Sequence, residues 1–286
     1  MNITDLISPK LFKNEPLWLL SITAGLEAIC LTLVWKAHDI GHLGMSILFL
    51  FATGSLLWDK RHTLRFESDV FSSIVGLLLI IWVLWQSATQ NLEHTLRLLS
   101  FTSAFGVSLL ASGFKGLKQY WEELIILFFL GVPSVLADLL IDISPLSAKF
   151  ATFLLWYSGF DVTNVGVNIY LPTGSIKVAY SCSGIDTINY ILGISIIAMV
   201  MFPIAKIKRF FVPIFAIILG FVINGVRIAM LAVMEGTNKA AFDSWHGGQA
   251  SYSYGVLGIL IFGLVYMLLL KQEEQQTQNS ERSSIN

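Results

Sequence analysis

Apolar residues run in eight long blocks with short polar breaks between them, at about 17–35, 40–58, 70–87, 94–112, 123–141, 184–202, 210–231 and 251–270. Each approaches the ~20 residues an α-helix needs to cross a hydrocarbon core about 30 Å thick. The pattern predicts an all-α polytopic membrane protein of about eight transmembrane helices. Residues 1–286 read as a single integral-membrane domain, with no internal repeat and no linker to divide it. Five helices fill 17–141, an outer segment fills 142–183, and three helices fill 184–270. The tail 271–286 opens Lys271-Gln272-Glu273-Glu274 and reads as a disordered cytoplasmic extension. Lys10 and Lys13 ahead of the run Leu17–Val34 imitate a secretory leader. The run is long enough to span and no small-x-small cleavage site follows, so it reads as an uncleaved first helix.

One region breaks the helical rhythm. Phe150–Tyr157 is apolar but too short to span, which suits an interfacial helix. Beyond it Val165, Val167, Ile169 and Leu171 alternate, Pro172-Thr173-Gly174 turns, and Ile176, Val178 and Tyr180 alternate again. That period of two predicts a β-hairpin just before the sixth apolar block. It can brace the loop that follows, offer an edge strand to a peptide, or simply cap the bundle.

Charge placement orients the chain. Lys10, Lys13, Lys60, Arg61, Arg65, Lys115, Lys118, Lys206, Lys208, Arg209, Lys271 and Arg282 fall on one side of the blocks. Lys36, Lys149, Lys177 and Lys239 fall on the other. The positive-inside bias therefore predicts N-in and C-in, with 142–183 and 232–250 outside and the hairpin extracytoplasmic. Composition agrees with the membrane class: 55% of residues are hydrophobic, 13% are charged, and the mean hydropathy is +0.71. A net charge of -1 without a basic block gives nucleic acid nothing to bind. Cys30 and Cys182 are too few for a disulfide framework and have no metal-ligand spacing, so neither a metal nor another cofactor is expected. A bond between these two cysteines is a minor option.

Candidate chemistry gathers on the outer side. The sixth block reads as a helix from Gly184 to Phe202 with Ser183 as N-cap, which sets Cys182 against free N–H groups and the positive helix end. That setting favours a thiolate, although cysteine is also a small hydrophobe that merely packs. Arg227 lies in Asn224-Gly225-Val226-Arg227, inside an apolar helix. An arginine there costs about 2.5–3.5 kcal/mol centrally and usually faces a wet interior, or else it snorkels to the headgroups. Asn224, three residues back on the same face, is placed to bond the guanidinium. His246 precedes Gly247-Gly248 and exchanges protons near neutral pH. Asp243 is placed to orient it, and His38, His42 and His94 are rivals on the same side. Glu27 sits mid-helix beside Cys30 and reads as structural. Glu93 and Arg97 are spaced to pair on one helix, and Asp138 and Asp142 border the outer cavity.

Cys182-Ser183-Gly184-Ile185, Asn224-x-x-Arg227 and His246-Gly247 follow one another on the last three helices. In that order they resemble the exosortase/archaeosortase family of membrane-embedded sorting enzymes. The resemblance is closest over about 120–270; the first four helices share hydropathy and count. It implies that Cys182 is a nucleophile and that Arg227 and His246 complete the active site; Asn224, Ser183, Gly184 and Asp243 read from their positions as supporting residues. It also implies a substrate class: exported proteins ending in a short motif, a spanning helix and a basic cluster. Their tails would be cleaved through a cysteine thioester, by water or by transfer to an amine acceptor, at the plasma membrane with lipid around the site. Two other readings stand beside this one. A transporter or lipid-binding scaffold would use Arg227 and Glu27 as pathway residues, and a thiol acyltransferase would keep Cys182 and His246.

Overall fold

The computed structural model describes residues 15–89 and 95–285. Each apolar block falls on a helix: α1 (Glu15–Lys36), α2 (Ile40–Lys60), α3 (Val70–Ala88), α4 (Leu99–Gly116), α5 (Trp121–Leu140), α7 (Ile185–Met201), α8 (Lys206–Thr237) and α10 (Tyr252–Ile285). Two shorter helices intervene, α6 (Ser144–Tyr157) and α9 (Lys239–His246). Among the described residues six stretches are long and apolar enough to cross a membrane, which makes this a mostly helical multi-pass membrane protein. The difference from eight has two causes. A 3-10 turn at Leu117–Tyr120 joins α4 to α5, so two of the blocks count as one of the six, although Gly113 at φ +62 kinks the run and Gly131 of α5 packs back on Arg97. α7 has 17 residues, because it opens late at Gly184 and stops ahead of Pro203.

The chain falls into two compact units, Met1–Val135 and Leu136–Asn286. In the first, Leu26, Cys30 and Val34 of α1 pack with Val83 of α3 and with Leu99 and Val107 of α4. A Cβ on Gly76 would stand 2.6 Å from the Gly106 carbonyl oxygen, so small residues let α3 and α4 touch. Cys30 is a free, buried thiol, and Cys182 is free as well. Arg97 donates to Ser134 and pairs with Asp39 at 3.7 Å. Its expected partner Glu93 lies outside the described residues, as does His94.

The second unit is built on α8, a helix of 32 residues. α6 and α7 press on it where it carries glycine: a Cβ on Gly225 would meet the Phe150 ring at 2.2 Å, and one on Gly220 would meet Ile188 Cα at 2.7 Å. α10 closes the other side with Phe262 and Tyr266 against Ile191 and Ala216. The expected hairpin is present as two strands of a three-stranded antiparallel sheet, β1 (Thr163–Val165), β2 (Asn168–Leu171) and β3 (Gly174–Lys177), in the order β1-β2-β3. Gly166, at φ +63, breaks what reads as one strand into β1 and β2. Gly174 pairs with Leu171 and opens β3 instead of lying in the turn. Ile169, Leu171 and Val178 pack with Ala148, Ala151 and Leu155 of α6 and with Ile228 and Ala232 of α8.

Three further expectations change. α8 runs to Thr237, past the expected end at 231, and α9 occupies what reads as loop. The tail expected to be disordered continues α10 to Ile285. Lys271–Gln276 contains good helix formers and no glycine or proline. Glu273 also accepts the Ala205 N–H, at 2.8 and 3.0 Å to its two oxygens.

Candidate active site

β3 runs through Val178 into a single 3-10 turn, Tyr180–Cys182. Cys182 N–H donates to the Ala179 carbonyl and Ser183 N–H to the Tyr180 carbonyl, both at 2.9 Å. The chain must then reverse into α7, and Gly184 does so at φ +102. Gly184 is therefore the N-cap where Ser183 was expected. Hydroxyl preference at N-caps gives way to the left-handed dihedral, which costs only glycine nothing. A side chain at Gly184 would also collide with Asn224, whose Nδ2 would lie 2.5 Å from the added Cβ. Ser183 is buried in right-handed conformation, and its Oγ has no hydrogen-bond partner among the described residues.

α9 supplies His246 as its last residue. Asn238 caps the helix by accepting the Ala241 N–H at 3.0 Å. The imidazole stacks on Phe242, one turn back, with centroids 5.0 Å apart and planes 11° apart. Across the turn, Cys182 Sγ and His246 Nε2 lie 3.4 Å apart. Among the described histidines, His246 is the one in hydrogen-bond contact with this thiol. The thiol is half-buried and the imidazole exposed, so the pair opens to solvent. Arg227 completes the cluster: its Nη2 donates to the His246 carbonyl at 3.1 Å, while its Nε is buried without a partner among the described residues.

Two supporting residues act differently from expectation. Asn224 does not bond the guanidinium; its Nδ2 donates to the Cys182 carbonyl at 3.1 Å. Spacing places Asn224 and Arg227 on the same face, but Asn224 turns into the core and Arg227 toward α9. Asp243 makes no side-chain hydrogen bond to His246 among the described residues. Its backbone carbonyl accepts the Gly247 N–H at 3.3 Å, and its carboxylate is exposed.

Residues with no motif also take part. Ser147 of α6 donates its hydroxyl to the Ser183 carbonyl at 2.7 Å. Tyr180 donates to Asp138 Oδ1 at 3.0 Å. Burial first, then that bond and the charges of Asp138, Asp186 and Asp142, push the Tyr180 phenol up to about 12, so it remains a donor across the working pH range. Asp142 accepts the Ser144 N–H at 2.8 Å, and hydrogen bonds from Ser144 hold its carboxyl below the usual range. The Phe242–His246 spacing of four would have signalled the stack had α9 been read as helix. Ser147 carried no signal, because a serine near a helix start has many roles. No group of three or more His, Cys, Asp or Glu side chains suited to a metal forms among the described residues.

The arrangement is a thiol in contact with an imidazole, with a guanidinium alongside, at the solvent-open end of a membrane-type helical unit. Such a set can perform nucleophilic acyl transfer. No curated protein and no solved structure matches the chain. The transmembrane exosortase family matches residues 35–271, which contain every residue of this cluster and reach back to the first helices, well beyond the three motifs. With that match the chain belongs to the transmembrane exosortase family, membrane-embedded cysteine peptidases or transpeptidases that sort exported proteins.

Proposed function

We propose that this protein cleaves the C-terminal sorting signal of exported proteins through a thioester on Cys182. The observation that carries the reading is the 3.4 Å approach of Cys182 Sγ to His246 Nε2. As Sγ attacks the scissile carbonyl carbon, the thiol proton passes to His246 Nε2. Arg227, with a buried Nε hydrogen to offer, stabilises the oxyanion, and one such donor is worth about 3 kcal/mol. Collapse of the intermediate breaks the C–N bond. His246 returns its proton to the leaving amine, and the acyl group remains on sulfur. Water, or an amine acceptor, then attacks the thioester while His246 takes its proton; collapse breaks the C–S bond, and His246 passes that proton to the departing Cys182 sulfur.

The substrates in this reading are exported proteins with a short motif, a spanning helix and a basic cluster at the C-terminus. The site faces the extracytoplasmic side of the plasma membrane. Support comes from the family and from the Lys/Arg bias, which puts Cys182, Arg227 and His246 together outside. This placement lets water or a polar acceptor reach the thioester while the substrate's helix stays in lipid.

The test is expression of wild type and Cys182→Ala beside proteins with such C-termini, followed by gel shift and intact mass. The variant is expected to insert normally and leave the tails in place, and the mature wild-type mass tells hydrolysis from transfer. Unchanged processing by Cys182→Ala would overturn the thioester and bring the transporter or scaffold reading forward.

A further inference from the structure

Cys182 sits on one turn of 3-10 helix closed by two backbone hydrogen bonds, too little to fix the direction of a thiol. The carbonyls of Cys182 and Ser183 lie ahead of the first intrahelical bond of α7, which runs from the Ile188 N–H to the Gly184 carbonyl. Side chains from two other helices hold these carbonyls. Asn224 of α8 takes the first at 3.1 Å and Ser147 of α6 takes the second at 2.7 Å, and both side chains are about 1% exposed. One turn along α8 from Asn224, Arg227 takes the carbonyl of His246 at 3.1 Å. A single helix thus grips the main chain of the nucleophile and of its base, three residues apart.

We propose that Ser147 and Asn224 form a two-point clamp on the Cys182–Ser183 peptides that positions the thiol for proton exchange with His246. The clamp rests on the cysteine-peptidase reading for its purpose, but its geometry is testable without any substrate. Two bonds to adjacent peptide planes stop the turn from rotating about its own axis, as one bond would not. Gly184 makes the clamp possible, because only a residue without Cβ lets the Asn224 amide reach the turn from beneath. Ser147 and Asn224 are positioning residues; neither lies against the sulfur or the imidazole in the contacts described.

The experiment uses full-length protein in detergent, in a Cys30→Ala background, with iodoacetamide as the probe and intact mass as the readout. His246→Ala sets the alkylation rate of a thiol without its base. Ser147→Ala and Asn224→Asp are expected to fall toward that rate by about tenfold, and kcat for tail removal to fall by up to about 10²-fold with KM little changed, the effect of a misplaced reacting group. Ser147→Thr, which keeps the hydroxyl, is expected to restore alkylation. Thermal unfolding is measured on every variant, and Ser147→Ala decides the matter should the Asn224 variant fail to fold. A Ser147→Ala chain that melts lower yet alkylates like wild type would overturn the clamp, as would equal losses in Ser147→Thr. Unchanged processing by Cys182→Ala would remove the enzymatic purpose while leaving the alkylation comparison to judge the clamp.

Discussion

A methyl group added at Gly184 would stand 2.5–2.8 Å from three atoms of the Asn224 side chain, at a backbone angle of φ +102 that side chains rarely adopt. Gly184→Ala is therefore expected to cost about 1–3 kcal/mol and to loosen the Cys182 carbonyl from Asn224. Thermal unfolding and tail removal are measured together, and a variant with wild-type melting and full processing would show that the turn has room to yield. This residue also marks the limit of what the chain declares about itself. Cys182, Arg227 and His246 are legible because a thiol, a guanidinium and an imidazole are costly or reactive beside apolar helices. The capping role of Gly184 is not, since hydroxyl preference favours Ser183 and the deciding dihedral has no local signature. The partner of Asn224 is hidden for a related reason: i,i+3 spacing names a face of the helix, not what stands opposite it.

Among the elements, the sheet matters through its grip on α8. A Cβ on Gly236 would meet the Thr173 carbonyl oxygen at 2.4 Å, so the β2–β3 turn lies directly on the helix backbone. Gly236→Val is expected to push that turn away, at about 1–3 kcal/mol for overpacking. Because β3 leads on to Cys182, tail removal should fall as well. Gly255→Ala on α10, where an added Cβ meets nothing within 4 Å, is the matched control. Melting and processing unchanged in Gly236→Val would mean that the sheet is not a support for the nucleophile's turn. Alternation in the sequence marks β2 and β3 because one face of β2 is buried and one face of β3 half-buried. It does not separate β1 from β2, because Gly166 turns the chain without interrupting the alternation. α9 is hidden too: Lys239–His246 has only eight residues, so the half-buried face of Ala241, Phe242 and Trp245 is too short to set a helical period, and the helix is held by the Asn238 cap and the contacts of its last residue.

At the scale of the whole molecule, hydropathy counts blocks, while spans depend on how the blocks are joined. The short polar break near Leu117–Tyr120 is a 3-10 turn, and hydropathy does not distinguish it from a loop. Orientation is argued from lysines and arginines and is open to a direct check. In a Cys30→Ala chain, a membrane-impermeant maleimide applied to intact spheroplasts is expected to label Cys182; labelling only after lysis would reverse the proposed orientation. The length of α8 then acquires a meaning. Arg227 follows Arg209 by eighteen residues of one helix, about 27 Å at 1.5 Å per residue, close to the ~30 Å of a hydrocarbon core. On the proposed orientation the basic start of α8 rests among the inner headgroups, and its arginine at the site comes level with the far boundary. On that proposal the reaction would be gauged against the thickness of the bilayer itself. Longer acyl chains would submerge the site where neither water nor a polar acceptor arrives, and shorter ones would lift it clear of the helix it is meant to cut beside.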